Sequence, residues 1–238
     1  MAAIRPLLAL GDRTWTELGE RAWLIVPLGS TEQHGPHLPL DTDTRIAVAI
    51  AERLAANLSD SPGRSAAREV LVAPAMAIGA SGEHAGFAGT LSVGTSVLEE
   101  VVVEIGRSAD RFAGVVWCNA HGGNAAALER AHRRLVEEGR RSRCVHVAFD
   151  GDLHAGRTET SVMLAIAPET VRVDRMQPGV TGPWSEIGER IRRRGVAAVS
   201  RNGVLGDPTG ASAAEGERLI GDLVARLATD LAAGPETI

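Results

Sequence analysis

"AWLIVPLGSTEQHGPHLPLDTD" (residues 22–43) begins as an almost unbroken apolar run and ends as a crowd of charges. Its first residues, closed by Gly29, have the length and apolar content of a short strand buried on both faces of a parallel sheet. From Pro27 onward the character changes. Glu32, His34, His37, Asp41 and Asp43 are packed among three prolines and two glycines. Such a segment cannot extend the strand or form a long helix, so it is read as a loop that holds its charges around something.

The same alternation recurs downstream. "REVLVAPAMAIG" (68–79), "AGVVWCNA" (113–120) and "RCVHVAFD" (143–150) predict three further buried strands. Between them, 44–58, 95–112 and 124–141 carry apolar residues at three- and four-residue spacings and predict helices. The order predicts an α/β fold, a three-layer α/β/α arrangement with a mostly parallel central sheet. No repeat or linker divides the chain, so one domain over 1–238 is expected. The stretch 167–210 is Gly- and Pro-rich, reads as irregular, and leads into a last helix near Ser212 to Leu231.

In an open α/β sheet, ligands bind beyond the carboxyl ends of the strands. A polar cluster follows each predicted strand: the opening loop, "GASGEHAGFAGT" (79–90), "NAHGGN" (119–124) and "FDGDLHAGRTETS" (149–161). The four are expected to converge on one edge.

The formal charge of −5 argues against nucleic acid or an anionic membrane as partner, since either is normally met by a basic face. "RIRRRG" (190–195) is the local exception and reads as a solvated helix face. Cys118 and Cys144 have no C-x-x-C partner and read as reduced core residues. The N-terminal apolar run is interrupted by Arg5 and Pro6, and nothing reaches membrane-spanning length, so a cytoplasmic location is expected.

Glu32 and His34, two residues apart on an extended segment, point the same way. Asp43, arriving after a turn, closes a mixed oxygen and nitrogen site for a divalent cation. On spacing alone Asp43 is equally an N-cap for a helix starting near Arg45. His121 stands where a strand hands over to a helix, and Gly122 and Gly123 let the backbone approach a ligand. A phosphate-cradling turn shares those features, although the P-loop lysine and the dinucleotide spacing are missing. That leaves open a non-catalytic phosphate- or nucleotide-binding module using "HGGN" and "GDPTG". His154 and Glu159, within a helical turn of each other, offer a proton carrier and a carboxylate ligand.

"VPLGSTEQHGPHLPLDTDT", "GEHAGFAGT", "NAHGGN" and "HAGRTETSVML" in this order resemble the creatininase family of metal-dependent amidohydrolases. The resemblance runs from about Trp23 to residue 216. It implies a creatininase-like fold, two divalent metal ions per subunit (Fe2+, Zn2+ or Mn2+) and a homo-oligomer. It also implies that Glu32, His34 and His121 are metal ligands and that Asp43 bridges the two ions. Creatinine-hydrolysing members carry a glutamate two places after the strand-end histidine. Here that place is Gly123, and Glu159 is the implied replacement ligand. His154 matches a histidine near the reacting carbonyl and is the implied general acid/base, with Glu83 the other candidate proton donor.

Ser81, His84, Gly122, Gly123 and Asn124 border the implied pocket as candidate substrate contacts. His37 and Asp41 are read as turn or supporting residues, His132 and His146 as structural, and Trp23, Trp117 and Trp184 as core or pocket wall. The implied reaction is hydrolysis of an amide in a modified precursor peptide, releasing a C-terminal Val-Tyr-derived dipeptide. The alternative within the family is a small cyclic amide or formamide. Divalent cations supply a nucleophile at neutral pH by lowering the pKa of water, so no serine is needed. Ser30, Ser81 and Ser161 lack a nucleophile-elbow context.

Overall fold

Four parallel strands, β1 (Trp23–Leu28), β2 (Val70–Val72), β3 (Gly114–Asn119) and β4 (Ser142–His146), form one sheet in the order β2-β1-β3-β4. The computed structural model describes residues 8–19, 22–59 and 69–233. The N-terminal run with Arg5 and Pro6 and the first residue of the predicted second strand lie outside the described residues.

Alternation along the strands divides the core. Trp23 and Ile25 of β1, with Val116 and Cys118 of β3, pack on one face against α1 (Thr42–Ser59), α4 (Arg157–Ile166) and α6 (Ala213–Ala233). Leu24, Val26 and Leu28, with Val115 and Trp117, pack on the other against α2 (Thr95–Ser108) and α3 (Ala125–Glu137). Both faces are covered, which is why the strands read as continuous apolar runs rather than as alternation. Each fully buried large side chain in these two layers contributes about 1.5–3 kcal/mol over its exposed state.

Two elements differ from the sequence reading. The second strand is only three residues long. Pro74 has no N–H to give a ladder, and beyond Val72 the chain keeps to β1 through separate contacts, Met76 N to Pro27 O at 2.9 Å and Gly29 N to Met76 O at 3.0 Å. The stretch 167–210 is not wholly irregular either. It contains α5 (Trp184–Arg194), entered from Pro183 and ended by Gly195 at φ 77°. Only Ile187, Gly188 and Ile191 of α5 are buried, so its apolar stripe was too narrow to read against flanks rich in glycine and proline. Arg190, Arg192, Arg193 and Arg194 are exposed on it, as expected of a solvated face. Cys118 and Cys144 are free thiols. Among the described residues no helix is long and apolar enough to cross a membrane.

Strand order positions the site. From β1 the chain crosses to β2 on one side and later to β3 on the other, so the connections diverge at the carboxyl ends of β1 and β3. A crevice opens at such a switch point.

Candidate metal centre

The loop after β1 carries Glu32 into this crevice with His34 buried beside it, the end of β3 delivers His121, and the segment after β4 delivers His154 and, from the first turn of α4, Glu159. Asp43 lies in the first turn of α1, and its carboxylate turns inward. It accepts from Ser30 Oγ (2.7 Å) and His34 Nε2 (3.0 Å), and His121 Nδ1 stands 3.2 Å away. Asp43 lies inside α1, which begins at Thr42, and so is not the helix N-cap; its carboxylate faces His34 and His121.

Asn124 fastens the loops together. Its Nδ2 donates to Gly29 O (2.9 Å) and Asn119 Oδ1 (3.1 Å), and its Oδ1 accepts from Ala80 N (2.8 Å). The loops after the first three strands are thereby tied by one buried amide. Its polar atoms are spent on this, and neither Asn124 nor Ser81 lines the cavity.

Potential ligand atoms group into overlapping trios: Glu32, Asp43 and His121; His34, Asp43 and Glu159; and Glu32, His34 and His154, the atoms of each lying within 4.8 Å of one another. The five residues named as ligands from the sequence are therefore together, with Asp43 common to the first two trios. The donors are carboxylate oxygens and imidazole nitrogens with no thiolate among them, a set that suits Zn2+, Mn2+ or Fe2+.

Glu32 tests whether these residues fit a cation. It is fully buried, and neither carboxylate oxygen has a hydrogen-bond partner. His121 Nε2 (3.2 Å) and His84 Nε2 (3.3 Å) come near without the alignment a hydrogen bond needs. An unpartnered buried carboxylate costs several kcal/mol unless something positive shares it. Burial and the neighbouring Asp43 charge accordingly push Glu32 up to about 8 in the metal-free protein. The residues fit a divalent cation.

The histidines divide into two kinds. Burial alone would lower His34 and His121, but the nearby carboxylates outweigh it. Asp43 and Glu159 hold His34 up at about 10, and Glu32 and Asp43 hold His121 up at about 9. His34 Nδ1 lies 3.2 Å from Glu32 O, which can only accept, so Nδ1 carries the proton and Nε2 is free for a metal. His84 and His154 go the other way. Burial, then the charge of His34, lowers His84 to about 3 and His154 well below its usual value, so both rings are neutral. His154 Nε2 lies 2.9 Å from Gln33 O and donates to it, which leaves Nδ1 bare, 3.9 Å from Glu32 Oε1.

Protons on His34, His121 and Glu32 thus stand in for cations when metal is absent. Metal uptake at pH 7 is expected to release about two to three protons, so the affinity should fall as pH falls from 8 to 6. Calorimetric titration in buffers of different ionisation enthalpy measures the release, and an affinity independent of pH in that window would contradict the picture.

The cavity is about 160 Å³ and has both acidic and apolar lining residues. Its lining combines the carboxylates Glu32, Asp43, Glu83 and Glu159 with the apolar Leu153, Trp184, Ile191, Val196 and Leu205, together with His84, Gly122 and Gly123. Glu83 reaches within 3.6 Å of His121 Nε2. Gly122 has open space around it, whereas a Cβ on Gly123 would sit 2.4 Å from both Glu83 Oε1 and His121 Nε2. The glycine at 123 is thus required by packing of its own neighbours. Ser30 and the α5 wall were missed in the sequence as site residues; Trp184 was named, but no spacing signal tied it to the cavity. His37 (to Thr160 Oγ1, 2.9 Å), Asp41 (to Arg45, 2.8 Å), His132 (to Ser142 Oγ, 3.1 Å) and His146 (to Asn119, 3.2 Å) make structural contacts.

Comparison with known proteins follows the same lines. The family model described as creatininase, creatinine amidohydrolase, matches residues 11–231. The mycofactocin precursor peptide peptidase of Mycolicibacterium smegmatis is 52% identical over 203 residues, covering 84% of this chain and 81% of that one. The protein of the same description from Mycobacterium tuberculosis is 51% identical over 218 residues, covering 90% and 87%. A solved structure titled "Creatininase Mn" superposes with a TM-score of 0.77 at 25% identity, over 94% of this chain and 97% of that one.

Proposed function

The chain belongs to the creatininase family, and on that premise we propose that it is the metal-dependent peptidase that hydrolyses the modified mycofactocin precursor peptide, releasing its C-terminal Val-Tyr-derived dipeptide. It is a hydrolase of C–N bonds. The observation that carries the reading is the pair of donor trios sharing Asp43 beside a cavity that also has apolar lining residues.

In this reading Glu32, Asp43 and His121 would hold one divalent ion and His34, Asp43 and Glu159 the other. Bound there, Fe2+, Zn2+ or Mn2+ would supply a lowered pKa for water and polarisation of the amide carbonyl. The chain's own groups do the rest. His154 enters neutral with Nδ1 bare, takes a proton from the attacking water, and returns it to the leaving nitrogen as the C–N bond breaks. Glu83, at the rim beside His121, is the second candidate for that last transfer. Leu153, Trp184, Ile191 and Leu205 pack against the apolar part of the substrate and keep bulk water out; Trp184, half exposed at the mouth, offers an aromatic platform for a tyrosine-derived ring. His84, Gly122 and Gly123 complete the substrate wall. We read 1–238 as one metallohydrolase domain, working in the cytoplasm as a homo-oligomer, with the exposed Leu91, Val93, Val97 and Val101 available to a second copy.

Protein stripped by a chelator and reloaded separately with Fe2+, Zn2+ or Mn2+ is the material for the test. Mass spectrometry of the modified peptide should show loss of the C-terminal dipeptide with loaded protein and none with stripped protein. Intact peptide alongside turnover of creatinine or a formamide would move the assignment to the small-amide alternative, and nucleotide binding without metal would move it out of the enzymes altogether.

A further inference from the structure

Gln33 stands between the two proposed ligands Glu32 and His34, is 5% exposed, and has no place in the ligand set. Its side chain nevertheless joins four segments. Oε1 accepts from Gly35 N (2.9 Å), which fixes which end of the amide is oxygen. Nε2 then faces Gly203 O (3.1 Å), His84 Nδ1 (2.9 Å) and His154 Nε2 (3.0 Å). Gly203, at φ 79°, has no room for a side chain. A Cβ there would fall 1.8 Å from Gln33 Oε1, so the loop is shaped around the amide.

Counting hydrogens assigns the rings. Nε2 of Gln33 has two. Gly203 O can only accept and takes one. His154 Nε2 donates to Gln33 O and has no lone pair to offer. The second amide hydrogen therefore goes to His84 Nδ1, which must be bare, and the His84 proton sits on Nε2, 3.3 Å from Glu32 Oε1. The two neutral imidazoles over the cavity present opposite faces: His84 a donor, His154 an acceptor.

We propose that Gln33 is a positioning residue whose side-chain amide fixes His84 as the Nε2–H tautomer and so keeps the proton-bearing nitrogen, rather than a lone pair, beside the Glu32 carboxylate. The tautomer follows from the geometry alone; its effect on turnover rests on Glu32 being a metal ligand of a peptidase. An N–H beside a ligating carboxylate favours its charged form, and losing such an outer partner of a metal site costs about 10–100-fold in activity or metal affinity.

Nitrogen-15 NMR of the histidine rings, on metal-free and zinc-loaded wild type, reads the tautomers directly. Both His84 and His154 should carry the proton on Nε2. Gln33→Glu replaces the donor with a carboxylate that can only accept, so His84 should move its proton to Nδ1 while His154, held by a backbone carbonyl, does not change. Gln33→Leu should leave His84 as a mixture. In both variants kcat is expected to fall about 10–100-fold with KM changed far less. A His84 proton on Nδ1 in the wild type overturns the proposal even if neither variant folds, and so does an unaltered His84 signal with full kcat in Gln33→Glu. If no peptide is turned over by wild type, the NMR result still decides the tautomer, and only the proposed function fails.

Discussion

Replacing Glu32 with glutamine is expected to strip the protein of its divalent metal and of its activity while leaving the metal-free fold at least as stable as the wild type. The two halves have one cause. A carboxylate buried without a hydrogen bond is a defect in the empty protein and a ligand in the loaded one. Its folded pKa, about 8, lies above its unfolded value of about 4.5. The folded state therefore keeps a proton that the unfolded state gives up, and wild-type stability without metal falls as pH rises through that window. A glutamine has no such loss, so the variant's advantage should grow toward pH 8. Metal reverses the ranking. Ligand at a hundredfold excess over Kd stabilises by about 2.7 kcal/mol, which for a chain of this size raises Tm by about 2–4 °C per kcal/mol. The wild type should show that rise and the variant should not. Turnover should drop by more than the ~10–100-fold that follows loss of an outer partner. Elemental analysis and paired melts with and without metal check all of this, and a variant that keeps both ions and full rate removes Glu32 from the ligand set. His121→Ala is expected to lose metal in the same way, since its Nδ1 and Nε2 stand between Asp43 and Glu32.

That single residues can be tested so sharply reflects how the sequence encodes the site. That Glu32, His34 and Asp43 lie together was legible because they fall within twelve residues after an apolar strand, and His121 because it follows the buried run of β3; Glu159, thirteen residues beyond the short and partly polar β4, was assigned as a ligand through the family resemblance. The sheet was legible for the same reason: buried parallel strands such as Trp23–Leu28 announce themselves by composition. What failed was local signal that was weak or absent. β2 stops at Val72 because a proline follows closely, although the apolar residues continue to Ile78. The helix Trp184–Arg194 buries only three positions and reads as surface. The contacts of Gln33 with His84, His154 and Gly203 span 51, 121 and 170 residues, and no periodicity reports a pairing at that range. Gly123 shows a further limit. A glycine after a histidine suggests room for a ligand, yet the space is filled by Glu83 and His121 themselves.

His154→Ala separates proton transfer from metal holding. If the bare Nδ1 carries the proton between water and leaving nitrogen, the variant should keep both ions and lose about 10²–10⁴-fold in kcat, the usual worth of a positioned acid or base. The retained contacts support that expectation, since Asp43 still binds His34 and Ser30 without any help from His154. The pH profile adds a second reading. Burial and the charge of His34 keep the ring neutral well below pH 6.5, and a neutral ring is the form that accepts the proton. No acid limb from His154 is therefore expected between pH 6 and 8 in the wild type, and the decline on the acid side should track metal loss instead. Added imidazole should restore part of the rate to the alanine variant if the cavity left behind admits it. The competing arrangement is already present in the geometry: His154 shares a trio with Glu32 and His34. Should the variant lose metal in step with its rate, with imidazole restoring both together, His154 belongs among the ligands and the proton must travel by Glu83.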